Sequence, residues 1–255
     1  MPSGKVYLVG AGPGAADLLT LRAANILARA DIVFHDALIN KDVLDYCGTS
    51  CVFVPVGTRG GFRTPHRQER IHQLLADAVV QYKTVVRLKG GDPCMFGRGG
   101  EEMEFLTQHG IDWEVVPGIS TGIGGLSLLG LPVTHRDLSS SVTLLTGSRI
   151  ATGAFEDLPL SSPLASSQTL VFYMPFRHYE DIARQLMEHG MPPETPGMCV
   201  SWLSYPHQKL VAAPLSQLAE AVEQASLQPP SILVVGDVVG FWQRVRTQMA
   251  ASEDI

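Results

Sequence analysis

Five short apolar runs in the first half of this chain each stop at glycine, proline or aspartate. Residues 5–9 run into Gly10-Ala-Gly-Pro-Gly14, 32–34 into His35-Asp36, 52–56 into Gly57-Thr-Arg-Gly-Gly61, 84–88 into the stretch from Gly90 to Arg98, and 113–116 into Pro117-Gly118. Between them, residues 18–30, 71–80 and 101–109 carry apolar side chains at helical spacing, the first with Asp17 or Thr20 available as a cap. Strands alternating with helices predict βαβ units and a mainly parallel sheet. In such sheets ligands bind beyond the carboxyl ends of the strands. Every unusual stretch of this half falls there, so the pattern predicts a binding site along that edge.

The densest stretch is 85–102. Val85, Val86 and Leu88 suit a buried, pleated surface. Then come five glycines, one proline and four charged residues in the thirteen positions from Gly90 to Glu102, more than a chain reversal needs. Glycines let a ligand or another backbone approach closely, and Pro93 ends the ladder of donors. Glu101 and Glu102 suit the positive end of the helix that follows.

The second half repeats the alternation. Strands are predicted at 142–146, 169–173, 197–202 and 232–235, helices at 179–188 and 215–225, and a surface excursion at 153–168. The junction is expected near 117–120, giving an N-terminal α/β domain over 1–117 and a C-terminal α/β domain over 118–245.

A net charge of -6 and a pI near 5.7 argue against a nucleic-acid binder. An anionic ligand must therefore meet local clusters of cations. Arg59, Arg63, Arg67 and Arg70 crowd the region after the third strand with His66 and His72, opposed only by Glu69. The first residues carry no signal-peptide core, and the weakly polar stretch 118–133 is too short to span a bilayer. No membrane partner and a cytoplasmic location are expected. Cys47, Cys51, Cys94 and Cys199 form no zinc-ligand pattern, so reduced thiols and no metal are expected.

Gly10-x-Gly12-x-x-Ala15 after one strand, with Asp36 after the next, is formally a dinucleotide fingerprint and would make the chain an NAD-dependent oxidoreductase. That fingerprint needs a helix opening at the second glycine, with amides aimed at pyrophosphate. Here Pro13 removes a donor and the helical pattern starts later.

A second set of motifs points elsewhere. Val9-Gly-Ala-Gly-Pro-Gly14 with Leu18-Leu-Thr-Leu21, Asp36, Arg87-Leu-Lys-Gly-Gly-Asp-Pro93, Phe96-Gly-Arg-Gly-Gly-Glu-Glu102, Val116-Pro-Gly-Ile119 and Pro132-Val-Thr-His-Arg136 together resemble the tetrapyrrole methylases. The segment from Gly90 to Glu102 is like that of the branch acting on uroporphyrinogen III. The resemblance implies two α/β domains with the active site in the cleft between them, a homodimer, and S-adenosylmethionine as methyl donor. Carried over by position, it implies a cofactor site at Pro13, Gly90, Gly91, Asp92, Met95, Ser120, Thr121, Met174 and Leu203. It implies Arg59, Arg63, His135 and Arg136 as partners of the carboxylates of a tetrapyrrole substrate. Asp36, at a strand end on that edge, is the candidate for proton transfer or for holding pyrrole N–H groups, and Arg98 and Glu101 are second candidates.

The product would be precorrin-2, carrying two new methyl groups. Methylation of a later corrinoid precursor and a non-catalytic binding module are the other readings. The chain departs from the family at Val56-Gly-Thr-Arg59, where Lys commonly stands in place of Thr58, and at Tyr173-Met-Pro175, where Gly commonly stands in place of Pro175.

Overall fold

The computed structural model describes residues 4–57, 66–147 and 168–253. Thr58, Arg59, Arg63 and most of the expected excursion at 153–168 lie outside the described residues. The chain divides into two compact units between Ser120 and Thr121.

The first unit is a five-stranded sheet in the order β3-β2-β4-β1-β5, formed by β1 (Lys5–Gly10), β2 (Ile32–His35), β3 (Val52–Pro55), β4 (Thr84–Lys89) and β5 (Asp112–Val116). Every pairing in it is parallel. Because side chains alternate along a strand, each central strand feeds two cores. Tyr7, Val9, Val33, Val86 and Leu88 pack on one face with Ala23, Ile26 and Leu27 of α1 (Leu21–Leu27). Val6, Leu8, Ile32, Phe34 and Val85 pack on the other with α2 (Arg67–Gln81) and α3 (Gly99–Gln108). That double covering is why these strands read as continuous apolar runs.

The first helix is shorter than its pattern suggested. Ala16–Leu18 is a single 3-10 turn, and α1 begins only at Leu21. Thr20 is extended, and its side chain accepts a hydrogen bond from the Ala23 amide at 3.1 Å. Of the two candidate caps the chain uses Thr20, because an N-cap must lie outside the helix to reach an amide inside it.

The second unit holds a sheet in the order β6-β7-β10-β8-β9: β6 (Ser141–Thr146), β7 (Gln168–Tyr173), β8 (Pro196–Ser201), β9 (Lys209–Pro214) and β10 (Ser231–Val235). Among the described residues only β6 and β7 pair in parallel, and β10 runs antiparallel to both β7 and β8. Leu170, Phe172, Cys199 and Leu233 face α4 (Tyr179–Glu188) and α5 (Leu215–Gln224). Val171, Met198, Val200 and Val234 face Leu126, Leu131 and α6 (Asp237–Glu253).

Two of these elements have no counterpart in the sequence reading. β9 is an edge strand paired antiparallel to β8, and its Ala212-Ala213-Pro214 end lacks the β-branched residues that mark strands. The helix α6 runs to Glu253, past the expected domain end at 245. No described helix is long and apolar enough to cross a membrane.

Candidate active site

The carboxyl ends of β1, β4 and β5 are tied together by their own backbone. The Gly12 amide donates to the Gly91 carbonyl at 3.2 Å and the Gly91 amide to the Gly12 carbonyl at 2.7 Å. Asp92 extends this weave: Oδ1 accepts from the Cys94 amide at 2.8 Å and Oδ2 from the Gly118 amide at 3.1 Å. A Cβ on Gly118 would stand 2.2 Å from the Gly91 carbonyl oxygen, and one on Gly10 would stand 2.6 Å from it. Gly91 itself has φ 66°, a left-handed conformation that glycine adopts freely. Three loops far apart in sequence therefore form one fixed floor. Beside it, an added Cβ on Gly90 would meet nothing within 4 Å, so that stretch of backbone lies open to a ligand.

Next to this floor lies a buried chain of alternating charge. Arg87 and Lys89 project from β4 on the face that α2 and α3 cover, two residues apart and therefore on one side. Both are 3% exposed. Isolated charges do not survive there, so each needs an acid. Glu102 on α3, fully buried, supplies it: Oε1 accepts from Arg87 Nε at 3.1 Å and Oε2 from Lys89 Nζ at 2.8 Å. Arg87 also donates through an Nη to Asp36 Oδ1 at 2.6 Å. Gln68 of α2 donates to Glu102 Oε1 at 3.3 Å and lies 3.1 Å from His72.

The charges respond to one another. Burial opposes the Arg87 cation, but Asp36 and Glu102 outweigh burial and hold its pKa above the usual value. For Lys89, burial and the neighbouring Arg87 prevail over Glu102 and push the ammonium pKa down. Asp36 is the member that reaches the surface, with 28% of its side chain exposed just beyond β2.

Arg98 and Glu101 stand apart from that chain. Arg98, left-handed at φ 59°, precedes α3 and pairs with Glu101 through two hydrogen bonds of 2.9 and 2.5 Å. Both are about half exposed. The hydrogen bond from Arg98 holds the Glu101 carboxyl below the usual carboxylate range. Met95 is half-buried on the same loop, where its amide donates to the Asp92 carbonyl. Pro13 lies on the glycine loop just past the Gly12–Gly91 pair.

In the second unit β6, β7 and β8 end on one edge of their sheet, as the antiparallel pairings of β10 with both β7 and β8 require. Four non-glycine residues there are left-handed: Met174 and Arg177 after β7, Trp202 and Ser204 after β8. Such conformations cost on the order of 1–3 kcal/mol each and gather at functional sites. Met174 is 50% exposed and Leu203 is buried between Trp202 and Ser204. Thr121 opens a turn of π-helix, Thr121–Gly125, and Ser120 is the last residue of the first unit. His135 accepts the Asp137 amide and tilts against Phe241, while Arg136 beside it is exposed.

The dinucleotide geometry is not formed. The Gly12 amide, which would face pyrophosphate, is bonded to Gly91, and the helix opens nine residues later at Leu21. Three site members escaped the sequence reading: Arg87, Lys89 and Glu102. The signal was available, because two cations on one face of a doubly buried strand demand a buried acid.

Comparison with known proteins adds the family. The family model of the tetrapyrrole (corrin/porphyrin) methylases matches residues 5–219. A sirohaem synthase of Halorhodospira halophila is 44% identical over 236 residues, 92% of this chain but 47% of that protein, so the chain spans about half of such relatives. A uroporphyrinogen-III C-methyltransferase of Bacillus subtilis is 40% identical over 238 residues, 93% of this chain and 92% of that one. The structure of a Thermus thermophilus uroporphyrin-III C-methyltransferase complexed with S-adenosylhomocysteine superposes with a TM-score of 0.74 at 37% identity, covering 92% of this chain and 93% of that one.

The two adjacent glutamates should behave oppositely in urea denaturation. Glu102→Ala leaves Arg87 with Asp36 alone and takes from Lys89 the acid it is bonded to, and is expected to cost about 3–5 kcal/mol. Glu101→Ala removes a surface pair and is expected to cost under about 1 kcal/mol. Equal costs would contradict the assignment of the buried partner.

Proposed function

This chain belongs to the tetrapyrrole methylases, and from that premise we propose that it methylates uroporphyrinogen III at two pyrrole β-carbons, with S-adenosylmethionine as donor, to give precorrin-2. The observation that supports the reading most is the fixed floor of Gly12, Gly91 and Gly118 beside a partly exposed Asp36. Such a floor suits a ligand without phosphates. It offers close-approach backbone at Gly90 and a half-buried thioether at Met95, but no helix opening at the glycine loop. Pro13, Gly90, Gly91, Asp92, Met95 and Ser120 of the first unit, and Thr121, Met174 and Leu203 of the second, are the residues assigned to the donor.

When bound, the donor supplies an electrophilic sulfonium methyl. The macrocycle's β-carbon takes that methyl as the carbon–sulfur bond breaks, sulfur leaves as a neutral thioether, and the cationic ring then gives up a proton. The protein's share is positioning and handling of that proton. Asp36 is the assigned group, as acceptor of the proton or as holder of pyrrole N–H groups. Arg98 and Glu101 are the second candidates, and Arg98, with its orientation fixed by Glu101, is also a cation for a substrate carboxylate. His135 and Arg136, together with Arg59 and Arg63, are assigned to the remaining carboxylates, for which guanidinium forks are suited. The family resemblance supports the homodimer, and a cytoplasmic location completes the proposal.

Anaerobic incubation with uroporphyrinogen III and S-adenosylmethionine, read by mass spectrometry, should show two added methyl groups. No methylation, with S-adenosylhomocysteine still bound, would move the substrate to a later corrinoid precursor. Gly91→Val forces a β-branched residue into a left-handed conformation and breaks the pairing with Gly12. Titration calorimetry should then find S-adenosylhomocysteine binding weaker by about 5- to 30-fold, since such strain costs about 1–2 kcal/mol. Unchanged affinity would remove the floor from the cofactor site.

A further inference from the structure

The buried charges of the first unit do more than neutralise one another. Of the four, only Asp36 reaches solvent, and it is held by one oxygen. Among the described residues its other oxygen, Oδ2, accepts no hydrogen bond. The residue that holds it has no freedom of its own. Arg87 spends Nε on Glu102, one Nη on the carbonyls of Phe34 and Leu88 at 3.4 and 3.0 Å, and the other Nη on Asp36. Those carbonyls belong to β2 and β4, so the guanidinium is pinned to both strands and to α3. Lys89 holds the second oxygen of Glu102 and completes the brace.

Stability does not explain such an arrangement. A buried ion network is often no more stabilising than apolar side chains of the same volume, and the strands around it are apolar. What it provides is a carboxylate at a strand end whose position is fixed from below. A lysine could not do this, because one ammonium cannot satisfy two acids and two carbonyls in a planar fork. We propose that Arg87 is a positioning residue for the methyl-transfer chemistry: it fixes the Asp36 carboxylate through one oxygen, and Glu102 with Lys89 fixes Arg87. The inference rests on the role given to Asp36 above.

The test is a double-mutant cycle read by single-turnover methylation, with S-adenosylhomocysteine affinity and thermal stability measured on every variant. Arg87→Met keeps the volume of the stem and leaves the Glu102–Lys89 pair intact. It should lower the methylation rate by about 100-fold, the scale of a misplaced catalytic group, with S-adenosylhomocysteine affinity unchanged. Arg87→Lys should recover part of the loss. In an Asp36→Asn background, Arg87→Met should have no further effect, because a residue acting through Asp36 has nothing left to position.

Equal losses in both backgrounds would mean that Arg87 acts through the fold, and would overturn the inference. Normal activity of Arg87→Met beside an impaired Asp36→Asn would overturn it while leaving Asp36 in place. Full activity of Asp36→Asn would overturn the role of Asp36 and this inference together. If Arg87→Met does not fold, Arg87→Lys, which keeps the buried charge, carries the same cycle.

Discussion

Two cations on the covered face of β4 set the terms for the first unit. Arg87 and Lys89 are 3% exposed on a strand whose other face is equally covered, and a charge in that position must find an acid or neutralise itself. One acid comes from α3 as Glu102, the other from the end of β2 as Asp36. Meeting that demand fixes where α3 must dock and which way the chain leaves β2. The same contacts leave Asp36 as the one member of the set facing outward. Packing and chemistry are thus joined at a single guanidinium.

The glycines impose the complementary constraint. Asp36 would be an ordinary strand-end acid if the neighbouring loops were free to move. The mutual hydrogen bonds of Gly12 and Gly91, and the grip of Asp92 on the Gly118 amide, remove that freedom. Side chains at Gly10 or Gly118 would collide with the Gly91 carbonyl oxygen, so the weave exists only because those positions lack a Cβ. The second unit fixes its strand ends differently, by holding Met174, Arg177, Trp202 and Ser204 in left-handed conformations.

Much of this was legible in the residues alone. Apolar runs ending in glycine or aspartate revealed the parallel sheet, because strands buried on both faces leave a strong apolar signature. The motif from Gly90 to Glu102 singled out the loop after β4. The length of α1 was not legible, since Leu18 and Leu19 continue its apolar spacing and only the extended Thr20 interrupts it. β9 stayed hidden because small residues at an edge carry little strand propensity. Glu101 was singled out and Glu102 was not, although the two are neighbours in sequence. Their difference is helical phase: Glu102 shares the buried face with Leu106, while Glu101 faces solvent beside Arg98. That phase becomes readable only once Arg87 and Lys89 are seen to need a partner.

The claim on which the rest depends is that the carboxyl edge of the first sheet holds the methyl donor. Hydrogen–deuterium exchange with and without S-adenosylhomocysteine tests it directly, since bound backbone exchanges more slowly. A donor held there adds protection in residues 10–14, 90–96 and 117–121. Saturating ligand with no added protection in those three segments would contradict it.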